Sequence, residues 1–97
     1  MTDSAAPRTW GAFDLEAIVK RFPATADTML VDTRLTDEAE ASCRVFRIYQ
    51  TVPAHYHATC DEYLLVIAGR GTIFIGTSDP FEVAPGQLVF FKKGTVH

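Results

Sequence analysis

The chain has 97 residues, enough for one domain around a single core. Hydrophobic residues make up 47% and charged residues 22%, with a net charge of −3, the profile of an ordinary soluble globular protein. The nine basic side chains are scattered, which speaks against nucleic-acid binding, and no run approaches the ~18 apolar residues of a membrane span.

The opening stretch "MTDSAAPRTWGAF" carries Asp3 early and has no apolar core, so it is not a secretory signal. A cytoplasmic location is therefore expected. There the two cysteines, Cys43 and Cys60, are too few for a disulfide framework and should stay thiols. Residues 1–12 are small, polar and proline-containing, and are expected to form a flexible N-terminal arm with Trp10 as its candidate anchor. Residues 13–97 are expected to form the folded domain.

One helix comes next. In "DLEAIVKRFP", Leu15, Ile18, Val19 and Phe22 recur at helical spacing, Asp14 stands at the N-cap position and Pro23 ends the run. A packing helix is expected, with no part in a site.

After Ala26 the chain reads as short strands: Thr28–Leu35, Ser42–Thr51, His55–His57, Glu62–Ala68, Thr72–Ile75, Phe81–Val83 and Leu88–Lys92. Segments such as "TDEAEA", "AGRG", "GTSDP" and "APGQ" separate them, rich in turn-forming residues. Many short strands with no helical pattern between them predict an all-β antiparallel sandwich or barrel with one short N-terminal helix. Phe46, Ile48, Phe74, Phe90 and Phe91 are expected to pack, Cys43 to lie in the core, and Cys60 to be a buried inert thiol.

The stretch "HYHATCDEYLLVIAG" holds two of the three histidines. Residues two apart on a strand share a face, so His55 and His57 aim together while Tyr56 faces away. In the next strand Glu62 shares its face with Leu64 and Val66, and Tyr63, Leu65 and Ile67 take the other. The short link "ATC" predicts that these two strands are antiparallel neighbours, with Glu62 across from the histidine pair. Two imidazoles and a carboxylate that converge in this way form a ligand set for a divalent first-row metal. An H-x-H pair alone carries little weight.

The wider spacing carries more. From His55 the residues run H-x-H-x4-E-x6-G to Gly69, and Gly86, Gly94 and His97 follow in the register G-x5-P-x-G-x2-H. Over roughly Arg44–His97 the chain resembles a small single-domain cupin. The glycine that often opens the first motif is replaced by Tyr49, and the proline of the second by Lys92. The resemblance implies a jelly-roll barrel and the four metal ligands His55, His57, Glu62 and His97. It implies one divalent transition metal ion, with iron, manganese, nickel, zinc and copper all compatible with the donors.

It also implies a metal-dependent enzyme of the dioxygenase, isomerase or decarboxylase type acting on a small oxygen-bearing molecule. The alternative is a non-catalytic module that binds a small ligand or the metal itself. No separate general base is visible, because every histidine is already assigned. A homodimer through the outer face of a sheet is expected, with Tyr63, Leu65 and Ile67 as its surface. Cupin barrels ordinarily continue with further strands after the last histidine. The resemblance therefore implies a chain shortened at its C-terminus, or else a fold that closes with fewer strands, one of them from a partner.

Overall fold

A computed structural model of the protein describes residues 9–97. Most of the expected arm at 1–12 lies outside those residues. Trp10, within them, is 81% exposed. The described chain is mostly strand with one short helix, and it divides into two compact units between Val52 and Pro53. Among the described residues no helix is long and apolar enough to cross a membrane.

In the first unit, helix α1 spans Leu15–Arg21. Asp14 caps it as its position in the sequence predicts: the carboxylate accepts the Ala17 N–H at 3.1 Å. Glu16 in the first turn and Lys20 and Arg21 in the last complement the helix dipole. The helix ends as the chain approaches Pro23, with Phe22 already extended. Strands β1 (Leu30–Asp37) and β2 (Ser42–Ile48) form an antiparallel hairpin whose register slips between Arg34 and Thr36. The helix lies against β2, and Ile18 and Val45 are the buried residues of this unit. The Tyr49 hydroxyl donates to the Pro23 carbonyl at 2.6 Å and ties the end of β2 to the end of the helix segment.

The second unit has two antiparallel pairs. Strand β3 (Glu62–Leu65) pairs with β6 (Leu88–Phe91), and β4 (Gly71–Ile73) pairs with β5 (Phe81–Val83). Between β5 and β6 the sequence "APGQ" makes a type II turn: Pro85 takes the second position, Gly86 the third with φ +92°, and the Gln87 N–H reaches the Ala84 carbonyl at 3.2 Å. That turn aims β6 back along β3. The pairing then runs on past the strand ends, with the Val66 N–H on the Gln87 carbonyl and the Gly86 N–H on the Val66 carbonyl.

Burial follows the two-residue period on β3: Glu62, Leu64 and Val66 are half-buried, and Tyr63, Leu65 and Ile67 are exposed. By register Phe91 stands opposite Glu62 and Val89 opposite Leu64, so these residues share the sheltered face. Phe91, 3% exposed, and Val83 are the buried residues of the unit.

Several expectations are corrected. Ile48, Phe74 and Phe90 are exposed, because each occupies the solvent side of its strand or lies beyond a strand's end. Cys43 is exposed as well, next to the turn of the β1–β2 hairpin, and Cys60 is exposed in the loop before β3 rather than on the sheltered face. The segment His55–His57 is not a strand paired with β3. Its partner is the end of the chain: the His55 N–H bonds the His97 carbonyl and the His97 N–H the His55 carbonyl, while the Gly94 N–H bonds the His57 carbonyl at 2.7 Å. On its other side the terminal segment accepts the Gly76 N–H at the Val96 carbonyl.

Candidate metal centre

Three stretches of the second unit deliver the four predicted ligands to one place. Each of His55, His57, Glu62 and His97 offers a donor atom, and these atoms all lie within 4.8 Å of one another. His55 and His57 reach the site because the extended segment alternates: both are half-buried and Tyr56 between them is exposed. Glu62 reaches it from the first residue of β3. His97 reaches it through the backbone exchange with His55.

The carboxylate stands between two rings. Glu62 Oε1 lies 3.0 Å from His57 Nε2 and 3.2 Å from His97 Nε2. The His55 and His97 ring centroids are 4.4 Å apart, and those of His55 and His57 are 5.2 Å apart. His97 is the most enclosed of the three rings. Its side chain is 9% exposed, and Phe91 stacks on it at 3.8 Å between centroids with the planes 2° apart.

Hydrogen bonds to carbonyl groups decide the tautomers. His55 Nδ1 lies 2.9 Å from the Pro53 carbonyl, and His97 Nδ1 lies 2.9 Å from the Thr95 carbonyl. A carbonyl only accepts, so in each ring Nδ1 carries a hydrogen, and in the neutral form Nε2 keeps its lone pair for another partner. At His97 that lone pair faces the Glu62 carboxylate, which is also an acceptor. Two acceptors at 3.2 Å need a cation or a shared proton between them. A divalent metal ion meets this need, and three imidazole nitrogens with one carboxylate oxygen are donors such ions accept. The residues present therefore fit a metal.

All four candidate ligands come together, and none of the predicted set is left out. The geometry adds residues that sequence reasoning passed over. Asp61 carries no ligand atom in this group, yet its carboxylate accepts the Lys93 N–H at 2.8 Å and the Lys92 ammonium at 3.1 Å. The Lys93 N–H bond, then the Lys92 ammonium, hold the Asp61 carboxyl below its ordinary pKa of 3.8. Phe91, expected only to pack, is the platform under His97. Neither role leaves a local signal: the partners of Asp61 are remote in the chain, and Phe91 meets His97 only through the turn between them.

The family model described as the cupin domain matches residues 46–97, more than half of the chain, and covers all four candidate ligands. No curated protein and no solved structure matches the chain.

Proposed function

We propose, from the premise that this chain belongs to the cupin family, that it is a mononuclear metal-dependent enzyme acting on a small oxygen-bearing organic molecule. The observation that carries the proposal is the convergence of three imidazoles and one carboxylate within 4.8 Å. His55, His57, Glu62 and His97 would hold the ion, with the Pro53 and Thr95 carbonyls keeping two of the rings in the tautomer that presents Nε2. When bound, such an ion supplies Lewis acidity toward a carbonyl or enolate oxygen and positions left open for substrate or water. Leu64, Val66, Val89 and Phe91 share the face of Glu62 and would offer the substrate an apolar wall. Dioxygenase, isomerase and decarboxylase chemistry are all consistent with four protein donors on one ion.

A binding module is the second reading. Among the described residues no polar or charged side chain is buried, and the site's own titratable groups are the ligands themselves. A site with no further acid or base suits capture of a ligand as well as turnover.

The finer fold and setting belong to the same proposal: a jelly-roll barrel spanning residues 13–97, a cytoplasmic location, and a homodimer. Tyr63, Leu65, Leu88 and Phe90 form an exposed apolar face on β3 and β6, with the Tyr63 and Phe90 rings stacked at 5.9 Å, and this face would be the dimer contact. Sedimentation at tens of micromolar that gives only monomer would discard the dimer.

Elemental analysis of the purified protein, followed by oxygen uptake and turnover across small acids and phenols, tests the function. One equivalent of metal with turnover supports the enzyme. Metal or ligand binding with no turnover supports the module, and a correctly folded protein that takes up neither metal nor ligand removes both.

A further inference from the structure

We propose that Asp61 is a positioning residue of the metal centre: its carboxylate clamps the turn after β6 to the start of β3 and so sets Glu62 against His97. This rests on the metal-centre reading of the same four side chains.

The β3–β6 ladder ends at the pair Glu62–Phe91. One step further the register would bring Asp61 opposite Lys92, where the ladder has stopped. In its place the side chain of Asp61 spans the gap. One carboxylate oxygen takes the Lys93 N–H at 2.8 Å and the other takes the Lys92 ammonium at 3.1 Å. Both oxygens are committed to the turn, so Asp61 acts on the site through that turn and not as a fifth ligand.

The turn itself is a rigid unit. The Thr95 N–H bonds the Lys92 carbonyl at 3.0 Å and Gly94 has φ +84°, which makes Lys92–Thr95 a type II turn. Its Gly94 N–H is donated to the His57 carbonyl, and its Thr95 carbonyl accepts from the His97 ring. One turn is thus bonded to the segment of His57, to the residue before Glu62 and to the ring of His97. Released from Asp61, the turn could shift relative to β3. The Thr95 carbonyl would move with it, and His97 Nε2 would lose its setting opposite Glu62. Groups that hold a ligand in this way typically change metal affinity ~10–100-fold when removed.

The test is a zinc titration of the chelator-stripped full chain, with the visible spectrum of the cobalt(II) form as a report on coordination geometry. Asp61→Ala should bind zinc about 10–100-fold more weakly and shift the cobalt bands. Asp61→Asn keeps an oxygen for the Lys93 N–H and should recover most of the affinity. Lys93→Pro removes that N–H while leaving Asp61 in place, and proline suits the second position of a type II turn; it too should weaken zinc binding. It carries the test if Asp61→Ala does not fold. Zinc affinity and cobalt bands indistinguishable from wild type in folded Asp61→Ala or Lys93→Pro overturn the proposal. Wild-type protein that takes up neither ion is a separate result, and it overturns the metal-centre reading underneath.

Discussion

His55 and His97 exchange both of their backbone hydrogen bonds, at 2.9 Å in one direction and 2.8 Å in the other. This is the hydrogen-bonded pair of an antiparallel ladder, in which directly opposed residues present their side chains on the same face. The consequence is chemical. Two imidazoles from distant parts of the sequence stand side by side because two backbones pair.

Replacing one ligand should remove the metal without removing the fold. In His57→Ala the main-chain bond from Gly94 to residue 57 survives, and the lost ring is only partly enclosed. Metal affinity should fall by more than the ~10–100-fold expected of a group outside the ligand set. Elemental analysis beside far-ultraviolet circular dichroism checks both halves, and a full equivalent of metal in the variant would contradict the assignment.

Phe91 serves the core and the site together. Its ring is 3% exposed and lies flat on His97. Phe91→Ala should cost about 3–5 kcal/mol, the usual range for emptying a buried phenylalanine site. Phe91→Leu should lose less stability but still free the His97 ring to tilt. Urea unfolding of the metal-free protein measures the first effect and zinc affinity the second.

Gly94 and Gly69 separate backbone strain from site geometry. Both have positive φ, +84° and +77°, and an added Cβ would meet nothing within 4 Å at either. Alanine at either position should therefore cost only the left-handed backbone penalty, roughly 1–2 kcal/mol. Gly94→Ala should also weaken zinc binding, because its turn is bonded to the segments of all three nearby ligands, whereas Gly69→Ala should not. Paired melting curves and zinc titrations decide it. Equal zinc affinity in the two variants would count against the turn.

Acid should undo the Asp61 clamp in a defined direction. Its carboxyl is held below 3.8 in the folded state by the Lys93 N–H and then the Lys92 ammonium. The carboxylate therefore stabilises the fold above that ordinary value, and the contribution is lost as pH falls through the lowered one. In chelator, wild type should unfold at a higher denaturant concentration than Asp61→Asn at neutral pH, and the two should converge in strong acid. A constant difference across that range would show that the ionised form is not what stabilises.

Local chemistry made much of this protein legible. Asp14 and Pro23 mark a helix that forms where they predict it, and "APGQ" marks the turn it makes. The alternation in "HYH" and "EYLLVI" assigns each side chain to the sheltered or the open face correctly, from His55 to His57 and from Glu62 to Ile67. Strand ends were less legible. The run read as Glu62–Ala68 stops at Leu65 and that read as Thr72–Ile75 stops at Ile73, because ladder bonds depend on a partner. Burial was overestimated at Phe74, Phe90 and Ile48 for a related reason: hydrophobic character does not say which face a second layer covers.

The amino-acid order alone put His55, His57 and Glu62 forward as candidate donors, since two-residue periodicity is a property of the chain itself, and the resemblance to the cupin motifs added His97. Tertiary structure decided how those donors meet. The histidine pair bonds to the terminal segment instead of to β3, Asp61 closes the gap where the β3–β6 ladder stops, and Phe91 lies under His97. The first two join residues more than thirty positions apart, and contacts of that kind exist only once loop closure has brought the two segments together; the third depends on the turn that folds the terminal segment back over β6.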